Sequence, residues 1–203
     1  PAEGRPGDFR TVGVGRDRDV DLVPFYRLHR RVYTAYWDIL TPPEWEARAA
    51  ALKAAEVARR KLEAATVAFA QPGQMQAERD LNMQGGKTSP VQMRGRFGRR
   101  AVDWFSFDLA VDPSAPLSLV VTYNRDERAE RAFAVLVDGR KVGEERIARR
   151  SPQEEESFFD IAYSIPAEAV TGKTKVTVRF EGTGGLETAT VFGIRVVRGD
   201  KRP

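Results

Sequence analysis

Cysteine is absent from this chain, and histidine occurs only once, at position 29. The absence of cysteine excludes disulfides, cysteine-ligated metals and thiol nucleophiles. Hydrolytic triads need a histidine base, and zinc sites need histidine or cysteine ligands, so His29 alone cannot build either kind of site. We therefore expect no catalytic residues, no metal site of these kinds and no cofactor. A calcium site made of carboxylates alone stays open.

Long apolar runs and charge of one dominant sign are also lacking. No stretch approaches the roughly 18 apolar residues that a membrane span requires. The 33 basic and 29 acidic residues give a net charge of +4 and are intermixed along most of the chain. A nucleic-acid-binding face would cluster its positive charge. We expect neither nucleic acid nor membrane as a partner.

The second half of the chain consists of short apolar stretches separated by turn residues. Phe105, Phe107 and Leu109 alternate with polar residues and predict the buried face of a strand. Asp138-Gly139 predicts a type I′ hairpin. Such spacing is typical of a sandwich or barrel. The predicted strands span residues 103–111, 117–124, 132–138, 140–149, 157–164, 173–181 and 188–198.

A single long helix is predicted before the strands. Thr41 can cap it, Pro42 suits its first position, and Glu44 completes a capping box. The helix is expected to run to about residue 68, because alanine, lysine, arginine and glutamate dominate there. Its narrow apolar stripe favours a helix that lies on a surface or bridges two modules. We predict three parts: residues 1–40 as a loop and strand segment, 41–72 as bridging helix and linker, and 73–203 as the sandwich.

Residues 20–40 combine β-branched and aromatic side chains. From residue 32 to residue 40 both faces of the predicted strand are apolar. A strand of that kind is buried on both sides or lies between modules. The segment therefore needs a partner surface elsewhere.

Two motifs resemble catalytic or phosphate-binding sequences, but the surrounding sequence does not favour either function. The sequence Gly85-Gly86-Lys87-Thr88 resembles the end of a phosphate-binding loop, but position 81, where that motif needs glycine, is leucine. We expect an exposed polar loop there. The acidic run 154–156 suggests paired carboxylates, yet neighbouring acids in a loop are usually solvated.

Carbohydrate binding needs less than catalysis. Aromatic faces pack against sugar rings, while arginine and amide side chains hydrogen-bond the hydroxyls. The alternative for each candidate is an ordinary solvated surface residue. The candidates are Trp104, Tyr123, Asn82, Gln84, Arg94, Arg96 and Arg99.

Six stretches carry a family resemblance. Residues 24–37 (PFYRLHRRVYTAYW) resemble the segment that closes the catalytic part of the β-L-arabinofuranosidase-like glycoside hydrolases, the DUF1680-type family. Residues 78–109 (ERDLNMQGGKTSPVQMRGRFGRRAVDWFSFDL) are similar to the start of their C-terminal sandwich. Residues 132–142, 163–166, 175–182 and 191–197 are similar to later strands of that sandwich.

The resemblance implies a jelly-roll or galactose-binding-like β-sandwich without an active site. The family's catalytic glutamate and zinc-binding cysteines lie in an upstream barrel, and this chain has no cysteine; Arg30 also stands where the family has an acid. The chain is then a non-catalytic C-terminal accessory module, itself not an enzyme, of a periplasmic or secreted hydrolase of arabinofuranosyl-type plant glycans. Its partners would be the upstream catalytic module and a plant oligosaccharide. The alternative is an assembly module that forms a homodimer through residues 20–70.

Overall fold

The computed structural model describes residues 8–13, 18–24, 27, 39–125, 127–148 and 158–199. The chain divides into two compact units, Pro1–Leu52 and Lys53–Pro203. His29, the acidic run 154–156 and all but the last two residues of the predicted strand 32–40 lie outside the described residues. The assignment of residues 1–40 to an upstream module stays a prediction.

The first unit contains a small antiparallel ribbon. Strand β1 (Phe9–Arg10) pairs with strand β2 (Asp21–Leu22). The Arg10 guanidinium donates to the Asp21 carboxylate at 2.6 and 3.0 Å. Both side chains are exposed, so this pair contributes little to stability.

Helix α1 (Pro42–Ala65) begins as predicted. The Thr41 amide and hydroxyl both donate to the Glu44 carboxylate at 2.7 Å. The carboxylate thereby satisfies the backbone amide of the residue just before the helix, as in a capping box. The division between the two units falls within this helix. None of its side chains is buried.

The predicted end of the helix near residue 68 is wrong. Thr66–Ala70 forms strand β3, and the hydroxyl of Thr66 donates to the Leu62 carbonyl at the helix end. β-Branched residues at positions 66 and 67 favour a strand over a helix. The segment that we assigned to helix and linker therefore contributes a strand to the sandwich.

The remaining elements follow in chain order. Short helices are α2 (Met75–Asp80) and α3 (Ala167–Val170). The strands are β4 (Gln84–Met93), β5 (Arg96–Ala110), β6 (Leu117–Asn124), β7 (Arg131–Val137), β8 (Arg140–Ile147), β9 (Phe158–Ile165), β10 (Lys175–Gly182) and β11 (Gly193–Arg198).

Two antiparallel sheets pack face to face. The five-stranded sheet has the order β4-β5-β10-β7-β8, and the four-stranded sheet has the order β3-β11-β6-β9. The fold is thus mainly β, a jelly-roll-type sandwich preceded by one long helix, as predicted. Strands adjacent in sequence often lie in different sheets, which places the core between them.

The core is built from the inward faces of both sheets. Phe105, Phe107 and Leu109 of β5 are fully buried, as their alternation predicts. The Phe105 and Phe180 rings stack with centroids 5.0 Å apart across the β5–β10 pair. The same alternation sends the intervening residues of β5 to the outer face, where the candidate site lies.

Two hairpin turns position the strands. Asp138-Gly139 has φ values of 48° and 79°, as the predicted type I′ turn requires. Arg94-Gly95, with φ values of 48° and 77°, makes the same kind of turn between β4 and β5.

The expected loop at residues 85–88 is wrong, because these residues lie in β4. Lys87 has a φ of 47°, and the pairing register with β5 shifts between Gly86 and Thr88. Glycine and proline weaken a strand pattern in sequence, but an edge strand with a bulge tolerates both. Pro90 occupies such an edge position in β4.

Candidate functional site

The outer face of the five-stranded sheet gathers polar side chains around one aromatic ring. We call this surface the Trp104 face. Cross-strand pairing places Gly86 and Glu181 beside Trp104, and Gln84 and Arg179 beside Ser106. Thr177 lies beside Asp108 in the next row. The members of the Trp104 face are Asn82, Gln84, Gly86, Trp104, Ser106, Asp108, Thr177, Arg179 and Glu181.

The half-buried Trp104 indole is held in place from two sides. The guanidinium carbon of Arg179 lies 4.1 Å from the centre of the ring, a cation–π contact. Arg179 is itself held by Glu181, with Nε 3.0 Å from the carboxylate. A Cβ atom on Gly86 would lie 3.2 Å from the indole Nε1, so glycine leaves room for the ring at this position. The indole is therefore pre-positioned, which lowers the entropic cost of binding a ligand.

A hydrogen-bond network continues from the ring towards the end of β5. Gln84 Nε2 donates to Asn82 Oδ1 at 3.2 Å, and Asn82 Nδ2 donates to Asp108 Oδ2 at 3.0 Å. The Thr177 hydroxyl donates to the other Asp108 oxygen at 2.8 Å. The backbone of Asn82 has a φ of 50°, a conformation that asparagine adopts more readily than most residues.

The carboxyl of Asp108 stays ionised in this network. Burial by itself would raise its pKa, and this is the largest single influence. Hydrogen bonds from Thr177, Asn82 and Lys175 together outweigh burial and hold the pKa below its ordinary value. The face therefore presents a fixed carboxylate, amide groups and a guanidinium beside an indole. Such a set can donate and accept hydrogen bonds and pack an apolar ring face.

The sequence-predicted site residues divide into three groups. Asn82, Gln84 and Trp104 come together on the Trp104 face. Arg94 and Arg96 lie at the β4–β5 hairpin turn, away from that group in the pairing register. The Arg96 guanidinium carbon lies 4.6 Å from the Phe158 ring centre. Tyr123 and Arg99 lie neither on the Trp104 face nor at the hairpin turn.

The interpretation of Tyr123 as a carbohydrate-binding residue is wrong, because Tyr123 lies in the core. Tyr123 is 0% exposed, and its hydroxyl lies 3.0 Å from that of Tyr163. Its ring packs against Phe133 and Phe159, with centroids 5.5 and 5.9 Å away. Residues 119, 121 and 123 of β6 all point into the core, so alternation along the strand places Tyr123 there too.

Arg99 forms a buried ion pair rather than part of a ligand-binding rim. Its guanidinium donates two parallel hydrogen bonds to the Glu78 carboxylate from helix α2, one of them 2.7 Å long. A third donor contacts the Thr88 hydroxyl at 3.2 Å. Charges buried in this way are satisfied within the protein and are not offered to a ligand.

Sequence reasoning missed Arg179, Asp108, Thr177 and Glu181 as members of the face. For Thr177, Arg179 and Glu181 the signal was present, because the segment KVTVRFEG alternates apolar residues with these polar ones. What the sequence lacked was the pairing of β10 with β5, two strands far apart in the chain.

Among the described residues, no group of three or more histidine, cysteine, aspartate or glutamate side chains could hold a metal ion. Within those same ranges, no helix combines the length and the apolar character needed to cross a membrane.

Residues 61–197 match the sequence model of a family of unknown function, DUF6805. The chain belongs to DUF6805. The match covers every strand of the sandwich from β3 to β11. No curated protein matches this DUF6805 chain.

Solved structures similar to this DUF6805 chain include several carbohydrate-binding modules. A family 35 module from Clostridium thermocellum has a TM-score of 0.44 and 11% identity over 64% of this chain and 97% of that one. The CBM36-1 domain of a xylanase from the hindgut metagenome of Trinervitermes trinervoides has a TM-score of 0.45 and 12% identity, covering 66% and 98%. The CBM35 of Cellvibrio japonicus Abf62 has a TM-score of 0.43 and 12% identity, covering 66% and 94%. At this level of similarity the comparison says nothing about what this chain binds.

Proposed function

We propose that this chain is a non-catalytic module that binds carbohydrate through the Trp104 face. The observation that carries the proposal is the Trp104 indole, held by Arg179 at 4.1 Å within a row of hydrogen-bonding side chains. An aromatic ring in an otherwise polar face has no packing partner in the core. It is suited to a ligand that has both an apolar face and many hydroxyls.

The chemistry of the face fits a sugar ring. The C–H face of a pyranose or furanose packs on an indole, and its hydroxyls both donate and accept hydrogen bonds. Asn82 and Gln84 offer amide groups of both kinds, and Arg179 offers donors. The carboxylates of Asp108 and Glu181 supply acceptors for hydroxyl protons.

The parent protein that we infer is a glycoside hydrolase of the β-L-arabinofuranosidase-like type. The support is the sequence resemblance of residues 24–37 and 78–109, together with the later strand motifs in the same order. In that protein the chain would be the C-terminal accessory module, and it would give structural support to an upstream catalytic module. The ligand would be an arabinofuranosyl-type plant glycan.

Calorimetric titration tests the binding proposal. Arabino-, xylo- and galacto-oligosaccharides are titrated into the wild-type chain, Trp104→Leu and the matched control Trp45→Leu. Trp45 is 61% exposed on helix α1 and lies outside the Trp104 face. We expect binding by the wild type and by Trp45→Leu, and its loss in Trp104→Leu with unchanged folding. Equal binding by both variants would locate the ligand elsewhere.

A second candidate function is assembly through residues 20–70. The favouring observation is helix α1, which buries none of its side chains and exposes Trp45, Leu52 and Val57. Light scattering over a range of concentrations tests this candidate. A dimer that dissociates in Trp45→Glu/Leu52→Glu supports it, and a monomer at every concentration refutes it.

A further inference from the structure

The outer face of the four-stranded sheet carries a second exposed aromatic ring. Phe69 lies on edge strand β3 with 42% of its surface exposed, whereas its neighbour Ala70 is fully buried. Alternation along the strand explains the difference, because successive side chains point to opposite faces. A phenylalanine on the solvent side gains nothing from the core.

Arg195 covers part of this ring in the same way as Arg179 covers Trp104. Arg195 pairs directly with Phe69 across the β3–β11 ladder, and its guanidinium carbon lies 4.1 Å from the ring centre. The two outer faces of the sandwich thus carry the same arginine–aromatic pair at the same separation. Phe69 remains more than one-third exposed despite this contact.

Gly193 lets the Phe69 ring and the Thr122 side chain approach the backbone of β11 closely. A Cβ atom on Gly193 would lie 3.5 Å from Phe69 Cε2 and 3.3 Å from the Thr122 hydroxyl oxygen. A side chain at this position would therefore press against both the ring and Thr122. With glycine there, the ring forms an apolar wall and Thr122 a polar one, and both lie close to the buried backbone of residue 193.

The polar wall consists of Thr122 and Asp160. They form a cross-strand pair between β6 and β9, and the Thr122 hydroxyl donates to Asp160 Oδ1 at 2.6 Å. This bond fixes the direction of the carboxylate. Within the described residues, Asp160 Oδ2 has no hydrogen-bond partner, so it can accept from a ligand. Phe69, Gly193, Arg195, Thr122 and Asp160 form what we call the Phe69 platform.

We propose that the Phe69 platform is a second carbohydrate-binding site, on the sheet opposite the Trp104 face. A sugar ring packs its C–H face against the exposed part of the Phe69 ring, beside Thr122. Its hydroxyls donate to the free oxygen of Asp160 and accept from the Arg195 guanidinium. The choice of a sugar rests on the proposed function of the Trp104 face, while the location rests on the platform alone. Two sites on opposite faces would let one chain hold two strands of a polysaccharide or bind one branched chain with avidity.

Backbone amide NMR titration with arabino- and xylo-oligosaccharides tests the second site. The samples are the wild-type chain, Phe69→Leu, which keeps an apolar side chain without the ring, and Trp104→Leu. A further variant is Arg195→Gln, with Arg198→Gln as its matched control. Arg198 lies on the same strand as Arg195 but pairs with Asp112. We expect shifts at Gly193, Thr122 and Asp160 that survive Trp104→Leu. Phe69→Leu and Arg195→Gln should weaken them at least about five-fold, and Arg198→Gln should leave them unchanged.

The outcomes separate the two sites. The second site is supported if shifts on the platform are lost in Phe69→Leu and Arg195→Gln and in no other variant. This holds whether or not shifts are also seen at the Trp104 face. Shifts confined to the Trp104 face overturn the second site and leave the first intact. Shifts on the platform that are unchanged in Phe69→Leu also overturn it, because the ring would then play no part. Absence of any shift on the platform with every oligosaccharide overturns it as well.

Discussion

The guanidinium carbon of Arg179 lies 4.1 Å from the centre of the Trp104 ring, and Glu181 holds the same arginine from the side. A cation–π contact at a solvent-accessible site is worth about 0.5 to 1 kcal/mol. Such a contact is strong enough to orient the indole. Arg179 is therefore a positioning residue for Trp104 as well as a hydrogen-bond donor.

Replacement of Arg179 is expected to weaken carbohydrate binding. Arg179→Ala removes the contact with the indole and the donors, and we expect roughly a ten-fold loss of affinity. Arg179→Lys keeps the charge but not the planar group, so its loss should be intermediate. Calorimetry measures both, with Arg140→Ala as control, since Arg140 is exposed and pairs with Glu168. Undiminished affinity in Arg179→Ala would show that the arginine takes no part.

The ion pair between Arg99 and Glu78 is expected to matter for stability rather than for binding. Both side chains are almost fully buried, so Arg99→Ala leaves the Glu78 carboxylate without its partner. Loss of one member of a buried pair costs about 3 to 5 kcal/mol. Urea denaturation should show that loss, and the double variant Glu78→Gln/Arg99→Gln should recover part of it. A loss below about 1 kcal/mol, typical of exposed pairs, would contradict the buried arrangement.

Glu145 is expected to make stability fall as pH rises above the ordinary carboxyl range. Partial burial raises the pKa of Glu145 above its ordinary value near 4.5, and a hydrogen bond with Tyr163 offsets this only in part. Between the ordinary and the raised pKa the folded state binds a proton that the unfolded state has lost. The contribution of Glu145 to the free energy of unfolding therefore decreases with rising pH across this window and stays constant above it.

Glu145→Gln isolates this contribution. Glutamine keeps the size and the hydrogen-bonding capacity of the side chain but does not titrate. We expect the difference in unfolding free energy between variant and wild type to grow in favour of the variant as pH rises through the window, and then to stay constant. Glu144→Gln, on the adjacent exposed position, is the control. A difference that is independent of pH would refute the prediction.

Gly143→Ala is expected to destabilise the sandwich at the edge where β8 approaches β9. A Cβ atom on Gly143 would lie 2.3 Å from the Tyr163 ring, so the ring would have to move. That movement would also disturb the contact between the Tyr163 and Tyr123 hydroxyls. Overpacking of this kind costs about 1 to 3 kcal/mol. Thermal denaturation beside the exposed control Lys141→Ala measures the effect, and equal melting temperatures would be inconsistent with this packing.

Part of the fold and of the site follows from alternation in the sequence. Phe105, Phe107 and Leu109 are correctly predicted as core residues, and Trp104 as their outward neighbour. All four lie on one strand, so its alternation assigns each side chain to a face. The same rule places Tyr123 in the core beside residues 119 and 121. The Tyr163 hydroxyl satisfies the Tyr123 hydroxyl within the core.

Other features depend on contacts between distant parts of the chain. The pairing of β10 with β5 brings Arg179 to Trp104. No local sequence pattern near residue 104 predicts this pairing. Arg99 looked like a member of a basic rim, because its partner Glu78 lies on a separate short helix. Phe69 was assigned to the predicted helix, so its place on the four-stranded sheet was missed.

The most direct test of the central claim follows the indole N–H signals by NMR. The chain has three tryptophans, so a nitrogen-15 spectrum gives three indole signals to follow. On titration with arabino-oligosaccharides we predict that the Trp104 signal, assigned by its loss in Trp104→Leu, shifts and saturates while the Trp45 signal stays in place. A Trp104 signal that does not move at saturating oligosaccharide would contradict carbohydrate binding at the Trp104 face.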